Sequence, residues 1–473
     1  MLRQTNSLPW LPKMQKLERG QDQSASRLRI LLLAPDANPE SISLALEGYS
    51  HGQALAQLHD VTLAVRSCNK EALLRSQAPF HAIEAVDMPL PEGVYGWLLR
   101  VIFKGDFHSR ALTPVLYPFS LAFEWYAWRR LQDRVRAGEF DVVFRLLPTN
   151  PVLPSAFPFL LRNTSVPFVI GPINGGLPWP EGFSQAAQQK SWIDNLRKVY
   201  RFLPFARSTY RRAAAIIAGS SQTYAEFGAH GHKLFFIPEN GITPSLFSGA
   251  PHNREPNDKL ELIFLGALVP FKACDLALRA AVSSLRNDQA HFTVVGDGPE
   301  RSRLEEFVKT MGIDKSVSFC GMLPHAQAMQ RLHEADVMMY PSVREFGGAV
   351  VVEALAAGAV PVVADFGGPG DTVRSDVGFK VPLTNEAAVV SQLEGALDRL
   401  IRDRGLLERL RTQGMAYARD CFSWDAKAQE VTQVLDWVAH RGPKPNLPPP
   451  KLLNIDVDAQ QNSATGTFPQ AAI

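Results

Sequence analysis

The feature that most constrains the fold of this chain is an alternation of buried strands and helices that runs through it twice. The first series begins at Leu28, where LRILLLA is apolar enough for a buried strand, and ends near Ile237. The second series runs from Leu260 into the helical segments before Arg441. Apolar strands that alternate with helices indicate parallel βαβ units. The sequence therefore predicts an α/β protein with two Rossmann-like, doubly wound parallel-sheet domains that face a central cleft.

Breaks in this pattern predict the domain boundaries. We expect a flexible N-terminus at 1–26, an N-terminal Rossmann-like domain at 27–243 and a C-terminal one at 260–423. The polar, proline-bearing segment 244–259 is predicted to link them. Residues 443–473 are predicted to be disordered, because GPKPNLPPPK and the polar segment after it offer too little apolar area to offset the entropy of ordering.

Overall composition excludes several classes of protein. The net charge is only +2, which does not favour a nucleic-acid partner. Four scattered cysteines form no CxxC pair, so they indicate neither a disulfide framework nor a thiolate zinc site, and they suit a reducing cytosol. The longest apolar runs have the length of strands, so no transmembrane helix is expected. We expect a cytoplasmic protein, either soluble or peripheral on the inner face of the membrane.

Positive charge is concentrated in one part of the chain. Residues 103–212 contain 15 Lys and Arg against 7 Asp and Glu. Solvated helix faces explain such an excess equally well as a surface for anionic lipid or an anionic acceptor. The aromatic, basic segments GVYGWLLRVIFK and FSLAFEWYAWRRL are typical of core helices, and an interfacial helix remains the alternative.

The motif EFGGAVVVEALAAG carries the strongest functional signal. Gly347 and Gly348 let the backbone approach a ligand, and a helix that starts near Ala349 presents unpaired N–H groups suited to an anion. Glu353 lies one turn into this apolar helix, where a carboxylate needs hydrogen-bond donors. Ribose or sugar hydroxyls would supply them. The structural alternative is an ion pair between Glu353 and a nearby arginine.

Two further loops of the C-terminal half follow predicted strands. In LGALVPFKACD, Gly266 ends a strand and Lys272 stands at a helix start, within reach of diphosphate oxygens, although surface lysines are common there. In VVGDGPE, Gly296 and Gly298 form a GxG turn without the third glycine of a dinucleotide fingerprint. We interpret that turn as a loop that lets the backbone lie beside a nucleotide.

The N-terminal half offers one candidate loop, GPINGGLPWP. It follows a strand and contains Asn174, Gly175, Gly176 and Trp179, whose indole can stack on a sugar. We assign this loop to the acceptor side of the cleft, together with Arg145, although a rigid structural turn explains its composition equally well.

The order of these motifs resembles a known family. PENGI (238–242), the lysine segment, GDGPE and then E-x7-E before EALAAG are similar to the retaining glycosyltransferases of family 4, which have the two-domain GT-B fold. The resemblance covers about residues 28–440. It implies that the N-terminal domain binds the acceptor and the C-terminal domain binds a nucleotide-diphosphate sugar. It also implies that the helix at 424–440, which follows FSWD, packs back on the N-terminal domain.

The resemblance further assigns roles to single residues. It implies that Glu345 contacts hydroxyls of the donor sugar, Glu353 binds the ribose and Lys272 contacts the diphosphate. Backbone N–H groups of Phe346, Gly347, Gly348 and Ala349 would bind phosphate and sugar oxygens. The sequence departs from the family in two places, where Ala267 replaces the usual arginine and the loop RLLPTNP lacks the usual histidine. Arg344 is the first candidate to replace the arginine, and Arg145 the second.

These observations predict a hexosyltransferase that moves a sugar to an acceptor hydroxyl with retention, in polysaccharide or glycolipid synthesis. The partners are a nucleotide-diphosphate sugar and a glycan or lipid-linked acceptor. No cofactor or metal is expected, because the one DxD motif, Asp456–Asp458, lies in the predicted tail. The alternatives are a GT-B nucleotide-sugar epimerase and a sugar-nucleotide-binding protein that has lost catalysis.

Overall fold

A computed structural model describes residues 27–41, 44–88, 116–150, 153–175, 177, 179–180, 183, 202–247 and 258–449. Of the predicted segments, the N-terminus (1–26), Gly176, the linker from 248 to 257 and the tail from 450 lie outside the described residues. Much of the basic stretch, at 103–115 and 184–201, lies outside them as well.

The N-terminal domain is built on a seven-stranded parallel sheet with the order β3-β2-β1-β4-β5-β6-β7. Its strands are β1 (Arg29–Leu33), β2 (Asp60–Arg66), β3 (Ala82–Val86), β4 (Val142–Arg145), β5 (Phe168–Ile173), β6 (Ala215–Ala218) and β7 (Leu234–Phe236). Its helices are α1 (Leu44–Leu58), α2 (Lys70–Arg75), α3 (Tyr117–Arg136), α4 (Phe157–Leu160), α5 (Ala206–Arg212) and α6 (Ser221–Glu226).

The C-terminal domain has a six-stranded parallel sheet with the order β10-β9-β8-β11-β12-β13. Its strands are β8 (Leu260–Leu265), β9 (Ala290–Val295), β10 (Val317–Gly321), β11 (Val337–Tyr340), β12 (Val360–Ala364) and β13 (Phe379–Val381). Its helices are α7 (Cys274–Arg286), α8 (Arg301–Thr310), α9 (His325–His333), α10 (Ala349–Ala357), α11 (Gly367–Thr372), α12 (Glu386–Arg402) and α13 (Arg404–Phe422). The last helix, α14 (Trp424–Val438), follows them in the chain but packs on the N-terminal domain.

Strand β1 shows why the buried strands lack an alternating pattern of apolar and polar residues. Successive side chains of a strand point to opposite faces of the sheet. Ile30 and Leu32 pack in one buried cluster with α1 and α14, whereas Leu31 and Leu33 pack in a second cluster with α3. Because helices cover both faces, every position after Arg29 must be apolar, and the strand reads RILLL.

The chain crosses between the domains at two adjacent places. Ile242, at the end of the N-terminal domain, forms a parallel bridge with Ser423, which precedes α14. Helix α14 then packs against α1, and Trp424 lies against Gly241, where a Cβ atom would come within 2.6 Å of the indole. The last helix of the chain is therefore part of the N-terminal core.

The start of the predicted tail is ordered against this domain. Phe236, on edge strand β7, donates its N–H to the carbonyl of Leu447 (2.7 Å). Lys444 lies over the rings of Phe235 and Trp437. The expectation of disorder from 443 onward is therefore wrong for residues 443–449, because the free edge of β7 offers backbone partners to this segment.

Among the residues described, none of the helices is both long and apolar enough to span a membrane.

Candidate functional site

The loop between β11 and α10 is the centre of the candidate site. It carries Glu345 and Gly347, and Gly348 adopts a left-handed conformation (φ 71°) directly before the first residue of α10. Gly368, at the start of α11, donates its N–H to the carbonyl of Glu345 (3.0 Å). At Gly367 a Cβ atom would lie 2.1 Å from the same carbonyl oxygen. Glycine at 367 therefore lets a second loop support the first from behind.

Lys272 lies next to Glu345. Its ammonium group contacts the Glu345 carboxylate and the hydroxyl of Tyr340, at the end of β11. Tyr340 in turn donates to Glu345 Oε2 (2.9 Å), and burial raises the pKa of this hydroxyl well above its ordinary value. Tyr340 is therefore neutral and able to donate. The three groups form a charged cluster at the carboxyl end of the sheet, where ligands bind in open α/β sheets.

Glu353 is paired with a histidine and not with an arginine. It lies on α10, about a fifth exposed, and its Oε1 is 3.4 Å from Nε2 of His325 at the start of α9. This hydrogen bond raises the pKa of His325, whose side chain is largely exposed. Glu353 is partly and His325 largely accessible to solvent.

The three glycines of the β8 and β9 loops serve close packing of one loop on the other. A Cβ atom at Gly296 would lie 1.9 Å from the carbonyl oxygen of Gly266, and one at Gly298 would lie 2.4 Å from that of Leu268. Leu268 donates its N–H to the carbonyl of Asp297 (2.9 Å). The GxG sequence therefore fixes the position of the segment that leads to Lys272.

The N-terminal domain presents polar groups to the loop between β11 and α10. Asn174 directly follows β5, and its amide nitrogen donates to Oε1 of Glu239, in the loop after β7 (2.7 Å). Glu239 in turn lies against the β11–α10 loop, since a Cβ atom at Gly347 would be 2.6 Å from Glu239 Oε1. Burial raises the pKa of Glu239 to about 7, an effect that the hydrogen bond from Asn174 partly offsets.

Two other contacts hold the domains together around the cleft. The Asp371 carboxylate of α11 accepts a hydrogen bond from the backbone N–H of Ser221, at the start of α6 (2.8 Å), and another from its hydroxyl (2.5 Å). Arg344 donates to the carbonyl of Leu177 (3.3 Å), and its guanidinium lies 4.4 Å from the centre of the Trp179 ring. The candidate site is therefore enclosed by both domains.

A family model described as "Glycosyl transferases group 1" matches residues 250–416, which span the lysine segment, the GxG turn and the E-x7-E pair. This part of the chain is therefore similar to group 1 glycosyltransferases. The D-inositol 3-phosphate glycosyltransferase of Nocardia farcinica is 32% identical over 178 residues, which are 36% of this chain and 39% of that protein. An uncharacterized glycosyltransferase of Methanocaldococcus jannaschii is 29% identical over 180 residues, 38% of this chain and 45% of that protein.

The matched part thus spans less than half the length of these curated relatives. Solved structures show the fold of the whole described chain. Sucrose-phosphate synthase from Thermosynechococcus elongatus has a TM-score of 0.57 at 17% identity, over 87% of this chain and 99% of that one. The Anabaena protein HepE in complex with UDP has a TM-score of 0.54 at 18% identity, over 87% and 100%. With its two parallel-sheet domains, the chain has the GT-B fold.

In the N-terminal domain, one expectation about a site residue is wrong. Arg145, predicted on the acceptor side, is only 2% exposed, and its Nε lies 3.0 Å from Oε1 of the buried Glu124. It also donates to the carbonyl of Leu153 (2.8 Å). A buried charge needs this pairing, so Arg145 holds α3 to the loop after β4 and faces no ligand.

The remaining predicted residues are brought together in two groups. Glu345, Lys272 and the 346–349 backbone lie together on the C-terminal domain, with Glu353 one turn further along α10. Asn174, Gly175 and Trp179 lie on the opposite domain, where Gly175 N–H contacts the Thr223 hydroxyl (3.3 Å). Arg344 lies between Trp179 and Phe346, at the junction of the domains.

Sequence reasoning missed Tyr340, His325, Glu239 and Asp371. A signal existed for Tyr340 and Glu239, because each lies at or just after the carboxyl end of a strand. Within the described part of the chain, no cluster of three or more His, Cys, Asp or Glu side chains is suited to hold a metal ion.

Proposed function

We propose that this protein transfers a hexosyl group from a nucleotide-diphosphate sugar to an acceptor hydroxyl, with retention of the anomeric configuration. The observation that carries the proposal is the cluster of Lys272, Tyr340 and Glu345 beside the start of α10. A cation next to the free N–H groups of a helix suits a diphosphate, and a carboxylate beside them suits sugar hydroxyls. HepE, which shares the fold, was solved in complex with UDP, and this agrees with such a donor.

The proposed reaction exchanges one bond to the anomeric carbon for another. The bond from this carbon to the diphosphate oxygen breaks, and a bond to the acceptor oxygen forms. The acceptor proton passes to the departing diphosphate. Lys272 and the N–H groups that begin α10 would stabilise the negative charge on the leaving group. Retention rests on the resemblance of the E-x7-E pair to the retaining enzymes.

On this proposal the leaving diphosphate needs no metal ion, because Lys272 and the helix start supply its positive counterpart. EDTA is expected to leave turnover within about twofold of the untreated enzyme. A loss of more than tenfold that magnesium or manganese restores would contradict this part of the proposal.

The acceptor side is proposed to lie at a membrane or glycan surface, in polysaccharide or glycolipid synthesis. Residues 153–175 and 202–225 contain four arginines and no acidic residue. Phe202 (82% exposed) and Phe159 (39%) lie on these segments, and Arg162 lies over the Phe159 ring at 4.2 Å. Exposed aromatic rings among arginines suit an anionic interface. This supports a peripheral, cytoplasmic location.

Co-sedimentation with vesicles tests the membrane proposal. Binding to anionic vesicles at low salt, lost between roughly 0.1 and 0.5 M salt, is expected from a screened electrostatic attraction. Equal recovery in the supernatant with anionic and neutral vesicles would contradict it and favour a soluble acceptor.

A thermal-shift panel of UDP-, GDP- and ADP-sugars tests the proposed donor. At least one nucleotide sugar should raise the melting temperature by several degrees, and Glu353→Ala should reduce that shift.

Free epimerised sugar without any acceptor would instead favour an epimerase. Ala267, in place of the usual arginine, favours a second candidate, an inactive binding protein, which would bind a donor but neither transfer nor hydrolyse it.

A further inference from the structure

The N-terminal wall of the cleft has more hydrogen-bond acceptors than donors. Asn174 is only 7% exposed, and its Nδ2 donates to Glu239 Oε1. The amide nitrogen donates to Glu239, which can only accept when it is ionised, and this contact orients the amide. The other end of the amide, Oδ1, accepts no hydrogen bond from the described residues. A buried acceptor of this kind costs stability unless a donor reaches it.

Other carboxyl groups influence Glu239 and one another electrostatically. Glu47, in the first turn of α1, has its pKa raised to about 8 by burial first and then by the charges of Glu239 and Glu353. Glu47 and Glu239 belong to the N-terminal domain and Glu353 to the C-terminal domain, so the negative charge comes from both domains. A ligand placed here would have to bring several hydrogen-bond donors.

The position of Glu239 relative to the β11–α10 loop indicates which part of the ligand Glu239 faces. Glu239 Oε1 lies 2.6 Å from the place that a Cβ atom of Gly347 would take. Gly347 lies two residues after Glu345 and two before the first residue of α10. The proposed leaving diphosphate lies at that helix start. Glu239 therefore faces the sugar end of the donor from the opposite domain.

We propose that Asn174 and Glu239 form a subsite that binds hydroxyl groups of the transferred sugar and so contributes to the choice of sugar. Both residues accept: the Glu239 carboxylate takes one hydroxyl and Asn174 Oδ1 takes a second. A hexose carries several neighbouring hydroxyl donors, which match this arrangement. Asn174, expected on the acceptor side, thus acts on the donor. This inference rests on the proposed function.

Glu239→Gln is the variant that tests the subsite. Glutamine keeps the size of the side chain and can still accept from Asn174, but it removes the charge that a sugar hydroxyl would meet. The control is Glu71→Gln, which makes the same change on α2, where the Glu71 side chain is 88% exposed. Titration calorimetry would use the best nucleotide sugar of the panel and the free nucleoside diphosphate of the same base.

Glu239→Gln is expected to weaken binding of the nucleotide sugar about tenfold, or about 1.4 kcal/mol, and to change binding of the free diphosphate by less than about twofold. Asn174→Ala, which removes Oδ1, should show the same selective loss. The control should bind both ligands as the wild type does. Melting temperatures of all variants would show that each is folded.

The outcomes separate this inference from the proposed function. If no nucleotide sugar binds the wild type, the proposed function fails. If a nucleotide sugar binds, but the variants weaken it and the free diphosphate by the same factor, or weaken neither, only the subsite is wrong. An unchanged donor affinity together with a raised KM for the acceptor would place these residues on the acceptor.

Discussion

The contact between the two domains at the β11–α10 loop predicts the effect of one methyl group added at Gly347. In Gly347→Ala, the new Cβ atom would lie 2.6 Å from Glu239 Oε1 and 2.8 Å from Nδ2 of Asn240. Ordinary contacts between such atoms begin near 3.4 Å, so the ends of these side chains, or the loop that carries them, must move by several tenths of an ångström. Asn240 is buried and cannot swing aside freely.

The size of the effect follows from the cost of overpacking. An extra methyl in a well-packed contact costs typically 1–3 kcal/mol. The clash exists only where the N-terminal loop meets Gly347, so the cost falls on the closed arrangement and not on either domain alone. A penalty of about 1–3 kcal/mol corresponds to a loss of roughly 5- to 150-fold in kcat/KM.

Steady-state release of nucleoside diphosphate from the best donor, with an acceptor that supports turnover of the wild type, would measure this loss. The matched control is Gly395→Ala, on α12, where an added Cβ atom meets nothing within 4 Å. That control should keep full activity and gain up to about 1 kcal/mol of stability from better helix propensity. Turnover of Gly347→Ala equal to that of the control would refute the reasoning that the domains close at this loop.

Three further predictions concern other parts of the molecule. Lys272→Met should weaken binding of the nucleoside diphosphate at least tenfold, and calorimetry that shows no change would contradict its role as phosphate cation. Ending the chain after residue 442 should lower the melting temperature relative to ending it after 449, because only the longer chain keeps the Leu447 contact with β7; equal melting temperatures would show that the segment adds no stability.

The third of these concerns acid stability. Burial lowers the pKa of His51 to about 3. Among the described residues, His51 Nε2 has no hydrogen-bond partner. The unfolded chain binds a proton below about pH 6.5, whereas the folded chain does not. Stability from this group is therefore lost as the pH falls, by about 2 kcal/mol at pH 5. His51→Leu should flatten this loss in denaturant titrations, and an unchanged slope with pH would contradict it.

Most of the fold could be predicted from the sequence because buried parallel strands are apolar on both faces. Strand β1 lies within the predicted LRILLLA segment, β8 begins at Leu260 as expected, and helix α10 begins at Ala349. Two edge strands, β3 and β13, carry a weaker signal. AIEAV and FKV are only partly buried, so they lack the continuous apolar run that marks a central strand.

The candidate site divides in the same way. Residues within one motif, such as Glu345 and Glu353, could be named because their spacing is local. Contacts between distant segments left no local signal: Asp371 with Ser221 lies 150 positions apart in the chain, and Asn174 with Glu239 lies 65 apart. Arg145 was misassigned for the same reason, since its partner Glu124 lies on another element.

Release of nucleoside diphosphate by the wild type and by Glu345→Gln tests the central claim most directly. Each donor of the panel would be incubated with each protein together with a set of glycan and lipid-linked acceptors, and donor binding would be measured in parallel. The wild type should turn over at least one donor, and Glu345→Gln should bind the free nucleoside diphosphate as tightly while releasing product at least about 100-fold more slowly. A wild type that binds a donor and never releases diphosphate, or a Glu345→Gln variant with full turnover, would contradict a glycosyltransferase built around this loop.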